Sequence, residues 1–145
     1  MKCLFCNKET KVIDKRDGDE TTRRRRECLS CSKRFTTHER AEINLIVVKK
    51  DGRREKFDRQ KLVSGFLRAC EKRPVSQEMI EKATDDIETN IRSYGQEVPS
   101  KDIGELVMQK LRLLDKVAYV RFASVYRNFD DISAFEKEVK VLKNK

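Results

Sequence analysis

Two Cys-x-x-Cys pairs constrain this chain more than any other feature: Cys3-Leu4-Phe5-Cys6 and Cys28-Leu29-Ser30-Cys31, with residues 7 to 27 between them. Each pair can turn two thiolates toward one point, and two such knuckles supply the four soft sulfurs of a tetrahedral metal shell. Soft ligands in that geometry favour zinc, with iron as the competitor. A segment this short holds few large apolar residues, so core burial alone cannot fold it and metal binding has to contribute the missing stability. With four cysteine ligands no position is left open for water, which makes the site structural. The spacing therefore predicts one Zn2+ per chain, held by Cys3, Cys6, Cys28 and Cys31, in a ribbon of short hairpins over residues 1–42.

Charge adds a partner class. The 145 residues include 34 Lys and Arg against 25 Asp and Glu, a formal net charge of +9. Such a balance favours a polyanion, because Lys and Arg gain by displacing counterions from phosphates. Distribution decides more than the total. Arg23-Arg24-Arg25-Arg26 runs into Glu27-Cys28, inside the metal module. Alternation on a strand aims Arg23 and Arg25 opposite to Arg24 and Arg26. One pair can then meet phosphates or base edges while the other packs its stems or joins carboxylates such as Glu27. Lys33, Arg34 and Arg40 widen the basic surface, and Phe35 reads as the ribbon's packing residue. His38 has a surface or packing role, since the cysteines already complete the shell.

No apolar run is long enough to span a bilayer, and the first residues lack the apolar stretch of a signal peptide. The expectation is a cytoplasmic protein with no membrane partner. In a reducing compartment five cysteines point to metal rather than to a disulfide framework.

The composition shifts after residue 42. Ile43 to Val48 reads as a strand, Asp51-Gly52 as a turn, and Glu55-Lys56-Phe57 as the return strand of a hairpin. Asp58 caps a helix through about Lys72, with Leu62, Phe66 and Cys70 as its apolar stripe. After Pro74, Ser76 caps a helix that turns Met79, Ile80, Ala83, Ile87 and Ile91 inward and closes at Tyr94-Gly95. Val98-Pro99-Ser100 starts a third helix, with Ile103, Leu106, Val107, Leu111 and Leu114 inward. Asp115 caps a fourth to about Arg127. A fifth runs from about Asp131 to Leu142 and shows Ile132, Phe135, Val139 and Leu142. The class is α+β: a β-hairpin ribbon, then a mainly helical domain over 43–136 with an N-terminal hairpin, then a helix end and tail over 137–145.

Nothing in that domain offers a catalytic set. It has no spare histidine as base, no Gly-rich phosphate loop and no carboxylate pair, so the chain reads as a non-enzyme. Lys49, Lys50, Arg53, Arg54 and Lys61 cluster with Glu55 on the hairpin and the next helix. This patch suits a polyphosphate, and equally suits a solvated face.

Several segments together resemble the NrdR family, the bacterial repressors of ribonucleotide reductase genes. In the ribbon they are the paired knuckles, Val12-Ile13-Asp14, Arg23 to Cys28 and Arg34-Phe35-Thr36-Thr37. Beyond it they are Val47-Val48-Lys49, Asp51-Gly52-Arg53, Glu55, Phe57, Lys61, Ile103 to Met108 and Val117 to Arg127. The resemblance implies a zinc ribbon fused to an ATP-cone that binds ATP or dATP. It implies paired operator boxes in double-stranded DNA upstream of reductase operons, and self-association into oligomers that change with the bound nucleotide. Carried onto this sequence, Val47 packs near the base, Lys49, Lys50 and Lys61 meet phosphates, Glu55 joins them, and Tyr126 borders the nucleotide space or an interface between cones. Arg16, Arg23, Arg24, Arg25, Arg26 and Arg34 form the DNA-facing set, and replacing Arg24 and Arg26 is expected to reduce operator affinity.

The chain departs from the family pattern in a shorter interval between Arg16 and Arg23, in Lys15 and Thr22 beside those arginines, and in His38. These bear on the DNA-reading loop and leave the zinc site untouched. A reductase accessory module that docks by its ribbon, and an RNA-binding ribbon of the translation machinery, are the rival classes.

Overall fold

In the computed structural model, which describes residues 1–42 and 44–144, the chain divides into two units, Met1–Glu42 and Ile43–Lys145. The first is one antiparallel sheet in the order β1-β2-β3, formed by β1 (Thr10–Asp17), β2 (Thr21–Cys28) and β3 (Arg34–Arg40). The Gly18 amide donates to the Thr21 carbonyl at 2.8 Å and closes the β1–β2 turn. Register shifts between Val12 and Asp14, a bulge at Ile13 that sharpens the local twist. Thr10, Val12, Thr21, Thr22, Thr36 and Thr37 supply the β-branched content that a pleated surface favours. Little is buried here: among the described residues of this unit only Cys3 and Cys28 are, at 3% and 2% exposure.

Among its described residues the second unit has a three-stranded sheet in the order β5-β4-β6 and five helices. β4 (Ile46–Val48) pairs antiparallel with β5 (Arg54–Lys56), opposing Val47 to Glu55, and parallel with β6 (Glu97–Pro99), opposing Val47 to Val98. The helices are α1 (Arg59–Ala69), α2 (Gln77–Arg92), α3 (Ser100–Leu114), α4 (Lys116–Tyr126) and α5 (Ile132–Lys143). Leu45, Phe66, Ile87, Ile91, Val98 and Leu111 are fully buried at its centre. The predicted caps are formed: Asp58, Ser76 and Asp115 accept from the amides of Gln60, Met79 and Ala118, and Asp131 likewise accepts from that of Ala134. Each satisfies one of the orphan donors of a helix start.

Charged contacts join the helices. Arg59 reaches Glu81, Asp85 and Glu88 at 2.7 to 2.8 Å and pins α1 to α2. Burial opposes the Arg59 charge, but the carboxylates outweigh it and raise its pKa. Lys110 pairs with Asp86 at 2.7 Å and joins α3 to α2.

The structure corrects three of the sequence readings. Glu97 to Pro99 is a strand rather than the start of a helix: Val98 is wholly buried beside Val47, and α3 begins only after Pro99. The first helix stops at Ala69, short of Lys72, which takes a left-handed φ of 58°. Met79 and Ile132 face outward at 41% and 81% exposure, while Thr84, Glu88 and Met108 are buried instead. Thr84 satisfies itself by donating to the Ile80 carbonyl at 2.8 Å, which is how a polar residue takes an inward position. Ile43, the first residue of the predicted strand, lies outside the described residues.

Candidate functional site

The two cysteine turns are built alike. Asn7 and Ser32, each directly after the second cysteine of its knuckle, both take φ 57°. Their amides donate back to the carbonyls of Cys3 and Cys28, at 3.0 and 3.2 Å. The turns bring all four Sγ atoms within 4.8 Å of one another, with Cys3–Cys31 at 3.7 Å and Cys6–Cys28 at 3.4 Å. A tetrahedron with Zn–S bonds of about 2.3 Å has edges of about 3.8 Å, so this donor set fits a zinc ion.

Backbone amides orient the sulfurs. The Phe5 amide donates to Cys3 Sγ at 3.4 Å, and those of Ser30 and Cys31 donate to Cys28 Sγ at 3.3 and 3.4 Å. The Cys31 amide, with that of Ser30, holds the Cys28 thiol down to about 6. Such donors stabilise thiolate, the form that ligates metal. Four sulfurs fill a tetrahedral shell and leave no position open, so the centre can hold a fold together and has no substrate position.

Strand pairing then sorts the arginines. Glu27 forms ion pairs with Lys11 at 3.4 Å and Arg34 at 2.7 Å across the sheet, which fixes these residues on one face. Period-two alternation places Arg23 and Arg25 on that face, with Arg16 opposite Arg23 and Asp14 opposite Arg25. Arg24 and Arg26 belong to the other face. There Arg24 is ion-paired with Glu39, and Arg26 is half-buried beside Phe35 and Thr10. The DNA-facing set expected from sequence is thus divided: Arg16, Arg23, Arg25 and Arg34 share a face that Arg24 and Arg26 do not. Arg16 pairs with Asp14 at 3.4 Å and Arg34 with Glu27, whereas Arg23 and Arg25 have no carboxylate partner among the described residues.

A cavity of about 360 Å³ opens in the second unit, within the usual range for small-molecule sites. Its floor is apolar: Leu62, Ile103 and Val107, with Val47 from β4. Phe122 and Tyr126 stack with centroids 5.6 Å apart and form one wall. Lys49, Glu55 and Lys61 line it on the charged side. Glu55 sits 3.3 Å from Lys61 and 3.8 Å from Lys49, and Lys61 above all lowers its carboxyl pKa. A flat apolar group fits the floor, and an anion can take over the lysines that Glu55 now holds.

Five of the six residues expected around a nucleotide, Val47, Lys49, Glu55, Lys61 and Tyr126, therefore line one cavity. Lys50 does not: it lines two adjoining hollows with Lys101. Sequence reasoning missed Ser100, Ile103, Gly104 and Phe122 as lining residues. Gly104 carried a readable signal, being a glycine inside a helix. A Cβ there would clash with the edge and hydroxyl of the Tyr126 ring, so the bare backbone is what lets that ring lie against α3. The Tyr126 hydroxyl then donates to the Lys101 carbonyl at 2.7 Å and fixes the wall.

Comparison with known proteins follows the same division. Residues 1–39 match the family described as "Transcriptional repressor NrdR-like, N-terminal domain", and residues 45–132 match "ATP cone domain". A protein of Symbiobacterium thermophilum is 58% identical, covering 98% of this chain and 97% of its own length. One from Geotalea daltonii is 58% identical over the whole of both chains, and one from Acetivibrio thermocellus is 58% identical over 99% of each. Each is named "Transcriptional repressor NrdR", a regulator rather than an enzyme. No helix among the described residues is long and apolar enough to cross a membrane. With its four cysteines placed for a metal ion and its cavity inside an ATP cone, the chain belongs to the NrdR family of transcriptional repressors.

Proposed function

We propose that this repressor binds operator boxes in double-stranded DNA upstream of ribonucleotide reductase genes in the bacterial cytoplasm, and that ATP or dATP in its cone sets the oligomeric state that permits binding. The ribbon, residues 1–42, reads DNA, and the cone, residues 43–136, senses the nucleotide. One observation carries the reading: among the described residues Arg23 and Arg25 have no carboxylate partner, in a unit whose only buried described residues are two of the metal-binding cysteines. Free guanidinium groups on a metal-braced strand are suited to phosphates and base edges.

In this reading Cys3, Cys6, Cys28 and Cys31 hold Zn2+, and Arg16, Arg23, Arg25 and Arg34 supply the DNA face. In the cone, Val47 packs near the base against the Phe122–Tyr126 wall. Lys49 and Lys61 turn from Glu55 to the phosphates, while Lys50 reaches the phosphate chain from outside the cavity. Differential affinity of ATP and dATP for two assemblies shifts which one is populated. Two ribbons carried by one assembly bind neighbouring boxes with a raised effective concentration, so assembly controls occupancy.

The test is a titration of zinc-loaded protein on a reductase promoter fragment with ATP, with dATP and without nucleotide. Sequence-specific binding that differs between the nucleotides is the expected result. Binding that ignores nucleotide would strip the cone of its role. No specific binding, together with capture of the reductase itself, would replace the repressor mechanism with an accessory one.

A further inference from the structure

Beside the cavity, and sharing Tyr126 with it, lies a second hollow of about 400 Å³. Lys50 enters it from the β4–β5 turn, Lys101 and Glu105 from α3, and Arg127 from the end of α4. Neither Lys50 nor Lys101 has a carboxylate partner among the described residues. The same two lysines line an adjoining hollow around Pro99 and Ser100, at the start of α3, where no side chain caps the first-turn amides. Unpaired cations beside the N-terminal turn of a helix favour a multiply charged oxyanion.

Arg127 differs from the two lysines in being engaged already. It lies 3.7 Å from Glu105 on α3 and 3.4 Å from Glu138 on α5, and Glu138 also accepts the Tyr119 hydroxyl from α4. Among the described residues few other interactions seat α5. Leu142 is its one buried residue, the Lys116 ammonium donates to the Leu142 carbonyl at 2.9 Å, and Phe135 meets Phe129 edge-on at 5.4 Å. Part-exposed ion pairs of this length contribute little. A phosphate chain offers a guanidinium more charge and a bidentate fit than a single carboxylate does.

We propose that Arg127 is the coupling residue between this hollow and α5: phosphates of the nucleotide in the adjoining cavity draw it off Glu138 and so loosen the helix. The inference rests on the cavity being the ATP and dATP site. Linkage makes the effect reciprocal, so cutting the Arg127–Glu138 pair must tighten phosphate binding.

Full-length, zinc-loaded protein is titrated calorimetrically with adenosine, ATP and inorganic tripolyphosphate. Hydrogen exchange of α5 is followed in parallel, at two protein concentrations to separate self-association. ATP is expected to raise α5 exchange several-fold and adenosine to leave it alone. Glu138→Gln should bind ATP a few-fold more tightly than wild type, with adenosine affinity equal. Arg127→Gln should bind ATP several-fold more weakly and lose the exchange response, and Arg127→Lys should restore part of both. A rise produced by tripolyphosphate alone supports the coupling and shows a free polyphosphate to be sufficient. ATP binding with α5 unchanged, or no tightening in Glu138→Gln, overturns the coupling and leaves the nucleotide site standing. No ATP binding at all overturns both.

Discussion

Arg23 to Arg26 form one run in the sequence and two populations in the fold. Arg24 is tied to Glu39, whereas Arg23 and Arg25 have no carboxylate partner among the described residues. Replacing Arg23 and Arg25 by alanine should therefore lower operator affinity and reduce the slope of log K against log salt by about 1 for each phosphate no longer neutralised. Replacing Arg24 and Arg26 should leave that slope near wild type and act mainly on ribbon stability. Salt titrations of the two double mutants decide between the faces, and the opposite ranking would move the DNA surface to the Arg24 side. Gly104 gives a second test at this scale. Gly104→Ala forces the Tyr126 ring away, at a cost of about 1–3 kcal/mol for overpacking, and should weaken ATP binding. The double mutant Gly104→Ala, Tyr126→Leu should recover the stability, measured by denaturant unfolding, without recovering the nucleotide affinity.

The elements with strong local signals were legible in the sequence. Asp58, Ser76 and Asp115 start helices where a cap side chain precedes an apolar periodicity, and those cues are contained within one turn. β6 was not legible. Three residues carry no usable period, and what makes Val98 a strand residue is β4, some fifty positions earlier in the chain. The cavity was half legible for the same reason. Lys49, Glu55 and Lys61 stand close together in sequence, whereas Ile103 and Phe122 join them only through helix packing, and Tyr126 was reached through the family resemblance alone.

Asp115 shows what one element boundary carries. It caps α4 and pairs with Arg73 at 3.0 Å, so Asp115→Ala should cost about 2 kcal/mol. Arg73, above all, lowers its carboxyl pKa. A depressed carboxylate contributes stability that is full above the unfolded value near 4 and is lost as pH falls through the folded value. Asp115→Asn keeps the cap and removes the charge. Its deficit against wild type, followed by thermal unfolding, should thus be largest near neutrality and shrink in acid below about pH 4. A deficit constant across that range would remove the ion pair from the account.

At the scale of the whole molecule the two units depend on different sources of stability. The ribbon buries only Cys3 and Cys28 among its described residues, while the second unit has an apolar core centred on Phe66, Ile87 and Leu111. A strong chelator should abolish DNA binding and the β signal of residues 1–42 and leave the helical circular dichroism of the second unit, with its ATP binding, nearly intact. Loss of both together would show that the cone needs the metal too.

The parallel pairing of β4 with β6 also bears on how the chain is made. Every strand of the ribbon sheet lies before residue 41, and all four metal-binding cysteines have appeared by Cys31. Its metal can be captured while most of the cone has yet to leave the ribosome, since domains generally fold as units in order of synthesis. The cone cannot follow piecemeal, because its central strand waits for Val98 before the second edge closes. Closing that long loop is the slow, entropically costly step. A nascent chain that has emerged to some point between Arg40 and Glu97 therefore carries a finished metal-binding head on an unfinished sensor.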